Sequence, residues 1–323
     1  MAEEIILILV ALWHHFKTKA IKRIFTYIPF LICFVVLYFS NTFNFFVSLN
    51  GILQVLLFIL VVCIPAYITK RMSYVDIGWP FGLVIIGVLV LLLGEGYWLR
   101  KYIIGVMYLF AGLRMGIGSL ILLKKGHLNT ELSRYQYQRK RWKKAGFTNI
   151  DISLQYEIML QCFANITFLS IPAILQAFNP QEFLSVIEIL GYSFWLLFFV
   201  MEHTADIQKL KFLKKAFLEN RKKQVCNIGL WKYSRHPNYF SEWMVWNSLI
   251  LSSLPSFFYL HIAERDVIWV CILISLFYLS IIMYNTLVYY TGAIPSEYYS
   301  LKKRPDYKEY KKKTNMFFIG RNR

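Results

Sequence analysis

Charge is scarce in this chain: 17% of its residues are Asp, Glu, Lys or Arg, whereas a soluble domain carries about 25%. With 57% hydrophobic residues and a positive mean hydropathy, that shortage excludes an ordinary soluble fold and indicates a membrane protein. No Pro-, Gly- or Ser-rich linker and no internal repeat interrupts the 323 residues, so the chain reads as one integrated membrane domain. Cysteine is also sparse. Cys33, Cys63, Cys162 and Cys271 fall in apolar runs, where a thiol serves as a small hydrophobe. Cys226 stands alone in a polar stretch, leaving no disulfide framework and no metal-binding spacing such as C-x-x-C. The opening "MAEEIILILVALWHHF" lacks the basic leader and cleavage site of a signal peptide. Its apolar stretch is short for a span, so residues 1–16 are expected to form an interfacial or partly inserted helix.

What is present is a series of apolar runs, each near the 20 residues that cross a bilayer. Spans are expected at 24–40, 52–68, 79–94, 102–123, 155–177, 186–207, 238–254 and 267–290. The fold class is therefore all-α, a polytopic bundle of about eight membrane helices (seven to nine). The cations are strongly sided: all but four of the 36 lysines and arginines fall around 14–23, 69–78, 124–153, 208–237 and 291–323. Of those four, Arg100, Lys101 and Arg265 lie on the opposite side and Arg114 lies inside a span. Cytoplasmic loops carry such an excess, so the basic side and the C-terminus are expected in the cytosol. The net charge of +18 is then a topology signal with anionic lipid as its neighbour, not a sign of nucleic-acid binding.

One stretch on the basic side concentrates chemistry. "GLWKYSRHPNYFSEW", residues 229–243, places Arg235, His236, Asn238, Tyr239 and Glu242 at the boundary of the seventh span. Pro237 suits the first turn of a helix, whose free N–H groups and dipole favour an anion. Asn238 and Glu242 share one helical face, as do Tyr239 and Trp243. Two readings fit these residue types. One is a dinucleotide seat, with arginine on phosphate, Glu or Asn on sugar hydroxyls and Tyr stacking. The other is a juxtamembrane anchor, in which Lys232 and Arg235 snorkel, Trp231, Tyr233 and Trp243 form an aromatic belt, and Glu242 makes a structural ion pair.

Other positions stand out on physical grounds. Arg114 lies near mid-bilayer, where a cation needs a partner; it is expected to line a cavity, with Gly112, Gly116 and Gly118 allowing close helix approach. Glu202 and Asp206 sit at a helix end that ordinarily prefers cations, and Arg235 or a loop lysine is their expected partner. Asp76 reads as a helix N-cap. "KLKFLKKAFLENRKK" (209–223) reads as an interfacial helix, with one or two cations available for a phosphate. Tyr307 and Tyr310 share a helical face near a basic tail.

"NIGLWKYSRHPNYFSEW" resembles the C-terminal signature of the steroid 5-alpha-reductase-like membrane family, including bacterial-type members described only as a domain of unknown function. It is more remotely similar to sterol C14 and delta-7 reductases. "YVDIGW" (74–79), "GLRMGIGSL" (112–120), "ELSRYQYQR" (131–139), "EHTADIQKLKF" (202–212) and "SEYYSLKKRPDYKEY" (296–310) resemble further family blocks in order, covering roughly residues 70–320. Residues 1–70 match nothing recognisable, so the division is an N-terminal pair of helices at 1–70 and a reductase-like membrane domain at 71–323. Ser241 stands where the family usually has glycine.

The resemblance implies an NADPH-dependent reductase of a carbon–carbon double bond in a steroid, sterol or other polyisoprenoid-like lipid, with the cofactor pocket open to the cytosol. It implies endoplasmic reticulum in a eukaryote or the cytoplasmic membrane in a bacterium. The cofactor residues it carries over are Arg235, His236, Asn238, Tyr239 and Glu242, together with Asp206, Lys209, Arg304, Tyr307 and Tyr310. Tyr239, Glu242 and His236 are the candidate proton donors by type and location, with Arg114 in the cavity. Two alternatives remain: a membrane methyltransferase of the isoprenylcysteine carboxyl type using S-adenosylmethionine, and a non-catalytic lipid-binding protein. The methyltransferases usually show two adjacent glutamates in the last block, where this chain has only Glu297.

Overall fold

A computed structural model describes residues 23–221 and 223–321; the helix expected at residues 1–16 lies outside them. Among the described residues there is no strand. The helices are α1 (Ile28–Tyr38), α2 (Asn44–Thr69), α3 (Val75–Leu93), α4 (Trp98–Lys124), α5 (Ser133–Lys144), α6 (Ile150–Ile166), α7 (Ile171–Ala177) and α8 (Val186–Leu218). They continue with α9 (Pro237–Leu260), α10 (Asp266–Asn285), α11 (Ala293–Lys303) and α12 (Tyr307–Lys313). Apolar helices stand at all eight expected places. Six of them, Asn44–Thr69, Met72–Leu93, Trp98–Lys124, Ile150–Ala177, Val186–Leu218 and Asp266–Lys303, are long and apolar enough to cross a membrane. The other two fall short for identifiable reasons: Arg23–Tyr38 in length, and α9 because serines, asparagines and Glu242 interrupt it.

Two long-range pairings organise the bundle, α3 with α4 and α8 with α9. Small residues permit both. A side-chain carbon at Gly191 of α8 would lie 2.7 Å from the backbone nitrogen of Ser252 in α9, and one at Gly112 of α4 would lie 2.6 Å from the Pro80 carbonyl of α3. Gly116 is as close to the Phe81 ring, but Gly118, expected on the same packing stripe, faces open space.

The span at 150–177 is broken between α6 and α7 around Thr167 and Ser170. Buried amides meet the polar groups near this break, as a low-dielectric interior requires. Asn50 Nδ2 donates to the carbonyl of Asn165, Gln54 Nε2 donates to the Gly82 carbonyl at 2.8 Å, and Asn165 Nδ2 donates to Gln54 Oε1 at 3.2 Å and to the Trp79 carbonyl at 3.1 Å.

The lysine-rich stretch after residue 207 corrects an expectation. It does not form a separate surface helix: α8 runs unbroken for 33 residues, or about 50 Å against a hydrocarbon core of about 30 Å. Its charged last turns therefore project past the core. Asn220, with φ of 59°, takes the left-handed conformation that commonly ends a helix.

Candidate functional site

α8 and α9 lie side by side with opposite chain directions, so the charged end of α8 meets the start of α9. Around that junction is a cleft. Lys209, Cys226, Trp231, Arg235, His236, Ser296, Ser300, Arg304, Tyr307 and Tyr310 are among its lining residues. Lys209 Nζ sits 3.9 Å from the centre of the Trp231 ring, and Arg304 donates to Ser300 Oγ at 3.0 Å. Among the described residues neither cation has a carboxylate partner. Tyr307 and Tyr310 are buried with ring centres 5.7 Å apart, and burial pushes both hydroxyls above their usual range.

Arg235 lines the cleft but is buried, so it does not snorkel, and much of its guanidinium is engaged within the protein. Nε donates to Glu297 Oε1 at 2.6 Å, while Nη1 donates to the carbonyls of Lys311, at 3.0 Å, and Thr314. Arg235 thus clamps the C-terminal segment over the start of α9, and Glu297 is its anchor. Trp231 is buried as well, donating Nε1 to the Ala205 carbonyl at 2.9 Å. It does not form part of an aromatic belt.

His236 caps α9 and is 3% exposed. Its ring stacks on Tyr239 with centres 5.2 Å apart and planes 3° from parallel. Nε2 lies 3.4 Å from Glu297 Oε1 but makes no hydrogen bond. Burial holds the imidazole below its ordinary value of 6.5 against the pull of Glu297.

Deeper along the same two helices is a second space, the inner cavity. Its walls are largely apolar: Leu83 from α3, Met107, Tyr108, Ala111 and Met115 from α4, Trp195 and Phe199 from α8, and Val245, Trp246 and Leu249 from α9. Three charged residues join them, Arg114, Glu202 and Glu242. Arg114 donates through Nη2 to Glu202 and through Nη1 to Asp206 at 3.3 Å, and it also stands 5.2 Å over the Phe199 ring. Arg114, not Arg235 or a lysine, is therefore the partner of the two acids on α8. Glu242 has no hydrogen bond or ion pair among the described residues; the charges that bear on it are Arg114, Asp206 and Arg134.

Between the cavities, Asp206 Oδ1 accepts from Asn238 Nδ2 at 3.1 Å. Asp76 is not an N-cap: it accepts from Arg134 and the Tyr135 hydroxyl of α5, which brings Arg134 to Tyr239 and Glu242. Four of the ten buried polar atoms that lack a hydrogen bond among the described residues lie here, namely Arg114 Nε, Arg134 Nε, His236 Nε2 and Asn238 Oδ1. Buried polar groups are nearly always hydrogen-bonded, so this concentration marks room for a polar ligand or water.

Of the residues singled out from the sequence, Lys209, Arg235, His236, Arg304, Tyr307 and Tyr310 line the cleft, and Arg114 and Glu242 line the inner cavity. Asp206, Asn238 and Tyr239 belong to the region between them. Sequence reasoning missed Arg134, Glu297, Trp195 and Phe199 as site residues. Arg134 falls within the "ELSRYQYQR" block, but nothing local showed that it reaches Asp76.

A family model described as "Protein of unknown function (DUF1295)" matches residues 62–314, and the chain belongs to that family. No curated protein and no solved structure matches it.

Proposed function

We propose that this DUF1295 protein is an NADPH-dependent reductase of a carbon–carbon double bond in a steroid, sterol or other polyisoprenoid-like lipid, as its resemblance to the steroid 5-alpha-reductase-like enzymes suggests. In this reading the basic end faces the cytosol. The observation that carries it is the stacking of two unlike cavities on one helix pair. Lys209 in the cleft and Glu202 in the inner cavity are seven residues apart on α8, and His236 and Glu242 six apart on α9, so the two centres are separated by about 10 Å. A water-soluble reactant and a lipid can thus approach one point from opposite ends.

The residues present suit a reduced dinucleotide. Lys209 and Arg304 make no ion pair with a carboxylate among the described residues and would hold phosphate, with Ser296 and Ser300 beside them; Tyr307 and Tyr310 offer ring faces. Asn238 Oδ1 and His236 Nε2, buried and without a hydrogen bond among the described residues, suit the amide and hydroxyl groups of such a ligand. When bound, the dinucleotide supplies the hydride. The protein orients the reactants and excludes water. Of the three candidate acids, Glu242 alone lines the inner cavity, and we assign it the proton delivered to the reduced lipid. Tyr239 lies one turn nearer the cleft, and His236 is stacked behind it. Arg114, held by Glu202 and Asp206, orients the lipid's polar atom.

The test is thermal stabilisation of the detergent-solubilised protein, since a ligand that binds only the folded state raises its midpoint. NADPH should raise it more than NADH, and S-adenosylmethionine should leave it unchanged. Lys209→Ala with Arg304→Ala should remove most of the NADPH shift, whereas Lys312→Ala in the exposed tail should keep it. A shift with S-adenosylmethionine alone makes the protein a methyltransferase; no shift in folded protein leaves a lipid-binding function without catalysis.

A further inference from the structure

One side of the inner cavity is closed by side chains alone. α4 and α8 run in the same direction; each is backed along its length by one partner, and no comparable packing joins them to each other among the described residues. They are the two least covered spans, with 22% of their apolar windows buried against 33% to 72% in the other four. Two ion pairs cross the gap, Arg100 with Glu188 and Arg114 with Glu202. The arginines are fourteen residues apart and so are the glutamates, which sets the bridges about 21 Å from one another. Between them, Met107 and Ala111 of α4 face Trp195 and Phe199 of α8 across the cavity.

The bridges differ in kind. Arg100 is fully buried and also donates to the carbonyls of Asn179, at 3.0 Å, Gln181, at 2.9 Å, and Phe183. Glu188 is fixed in turn by the capping box of α8, where it accepts from the Ser185 N–H at 2.7 Å. Among the described residues Arg114 has no carbonyl partner and its Nε makes no hydrogen bond; it opens onto the cavity.

We propose that the gap between α4 and α8 is a lateral portal through which an uncharged bilayer lipid enters the inner cavity, with Arg100–Glu188 as its fixed end and Arg114–Glu202 as its latch. Only the fate of the lipid after arrival rests on the reductase reading. Charge selects the occupant: Glu202 and Asp206 already engage the guanidinium of Arg114, and the next cation, Arg134, is paired with Asp76. A carboxylate or phosphate head therefore finds no uncommitted cation there among the described residues. A hydroxyl or carbonyl finds a donor in Arg114 Nε and an acceptor in Glu242.

The probes are a diazirine-bearing long-chain alcohol and the fatty acid of the same chain, photolysed with the protein in neutral-lipid vesicles and mapped by mass spectrometry. The alcohol should label Met107, Ala111, Trp195 and Phe199, and the acid should do so at least five-fold less. Ala111→Trp, or Ala111→Leu where the larger residue lowers the thermal midpoint, should reduce that labelling at least ten-fold. Equal labelling by the acid, labelling confined to outward faces, or persistence in both folded variants would overturn the portal. The NADPH shift measured in parallel separates the two ideas. Its absence from a protein labelled in the cavity refutes the reductase alone, and its presence with an unlabelled cavity refutes the portal alone.

Discussion

Removing either bridging arginine orphans a glutamate, and the two losses should differ in size and kind. Arg100→Met leaves Glu188, fully buried, with the Ser185 N–H as its remaining donor and strips three carbonyls of theirs. Breaking a buried pair in this way costs about 3–5 kcal/mol. Arg114→Met orphans Glu202, but that carboxyl borders a cavity, and Asp206 is 39% exposed and keeps Asn238. The cost there is nearer the roughly 1.5–3 kcal/mol of a lost charged hydrogen bond. Unfolding in mixed detergent should therefore place Arg100→Met about 2 kcal/mol below Arg114→Met. Turnover should be lost in the second while its fold persists. Adding Glu202→Gln to Arg114→Met removes the stranded charge and should restore most of the stability but none of the turnover. Equal destabilisation by the two arginine variants, or no recovery in the double variant, would refute the assignment of a fixed bridge and a functional one.

Because burial holds His236 below its ordinary 6.5, the unfolded chain binds more protons than the folded one just below that pH. The stability it contributes is intact above 6.5 and is lost as pH falls toward the folded value, by up to about 1.4 kcal/mol per unit; His236→Gln should flatten this slope in a pH series of thermal midpoints. Gly191→Ala should separate α8 from α9 and lower the midpoint, whereas Gly118→Ala, facing open space, should raise stability by as much as about 1 kcal/mol through helix propensity. With the native cysteines replaced, Lys143→Cys and Lys312→Cys should resist an impermeant thiol reagent applied outside intact cells; labelling of either would reverse the proposed orientation.

The spans were legible because each is a single apolar run whose length the bilayer dictates, and that signal is local. The places where the structure departs from it are those where hydropathy and helicity part company. α8 continues past residue 207 because lysine is a good helix former even as it ends the apolar run. The span at 150–177 breaks although its hydropathy does not, and polar residues obscure α9 although its helix is continuous for 24 residues. The "RHPNYFSE" stretch was legible as a candidate site because so many polar groups at a membrane boundary demand partners. Which partners they take was not, since Arg235 meets Glu297 62 residues away and Arg114 meets Glu202 88 residues away.

One non-local feature did have a linear trace. Arg100 and Arg114 repeat at the interval of Glu188 and Glu202, and two helices running in the same direction with a shared rise can satisfy both pairs only if matched in register. An arginine alone in a span calls for a counter-charge without identifying it. Two arginines and two glutamates at one spacing restrict the choice, because sliding either helix by a single residue would separate both pairs by about 1.5 Å along the axis and rotate them about 100° apart. The same constraint bears on function. A register fixed at the Arg100 end leaves tilting about that end as the motion that widens the gap at Arg114 while keeping the bundle joined, so the polar latch and the apolar passage open together.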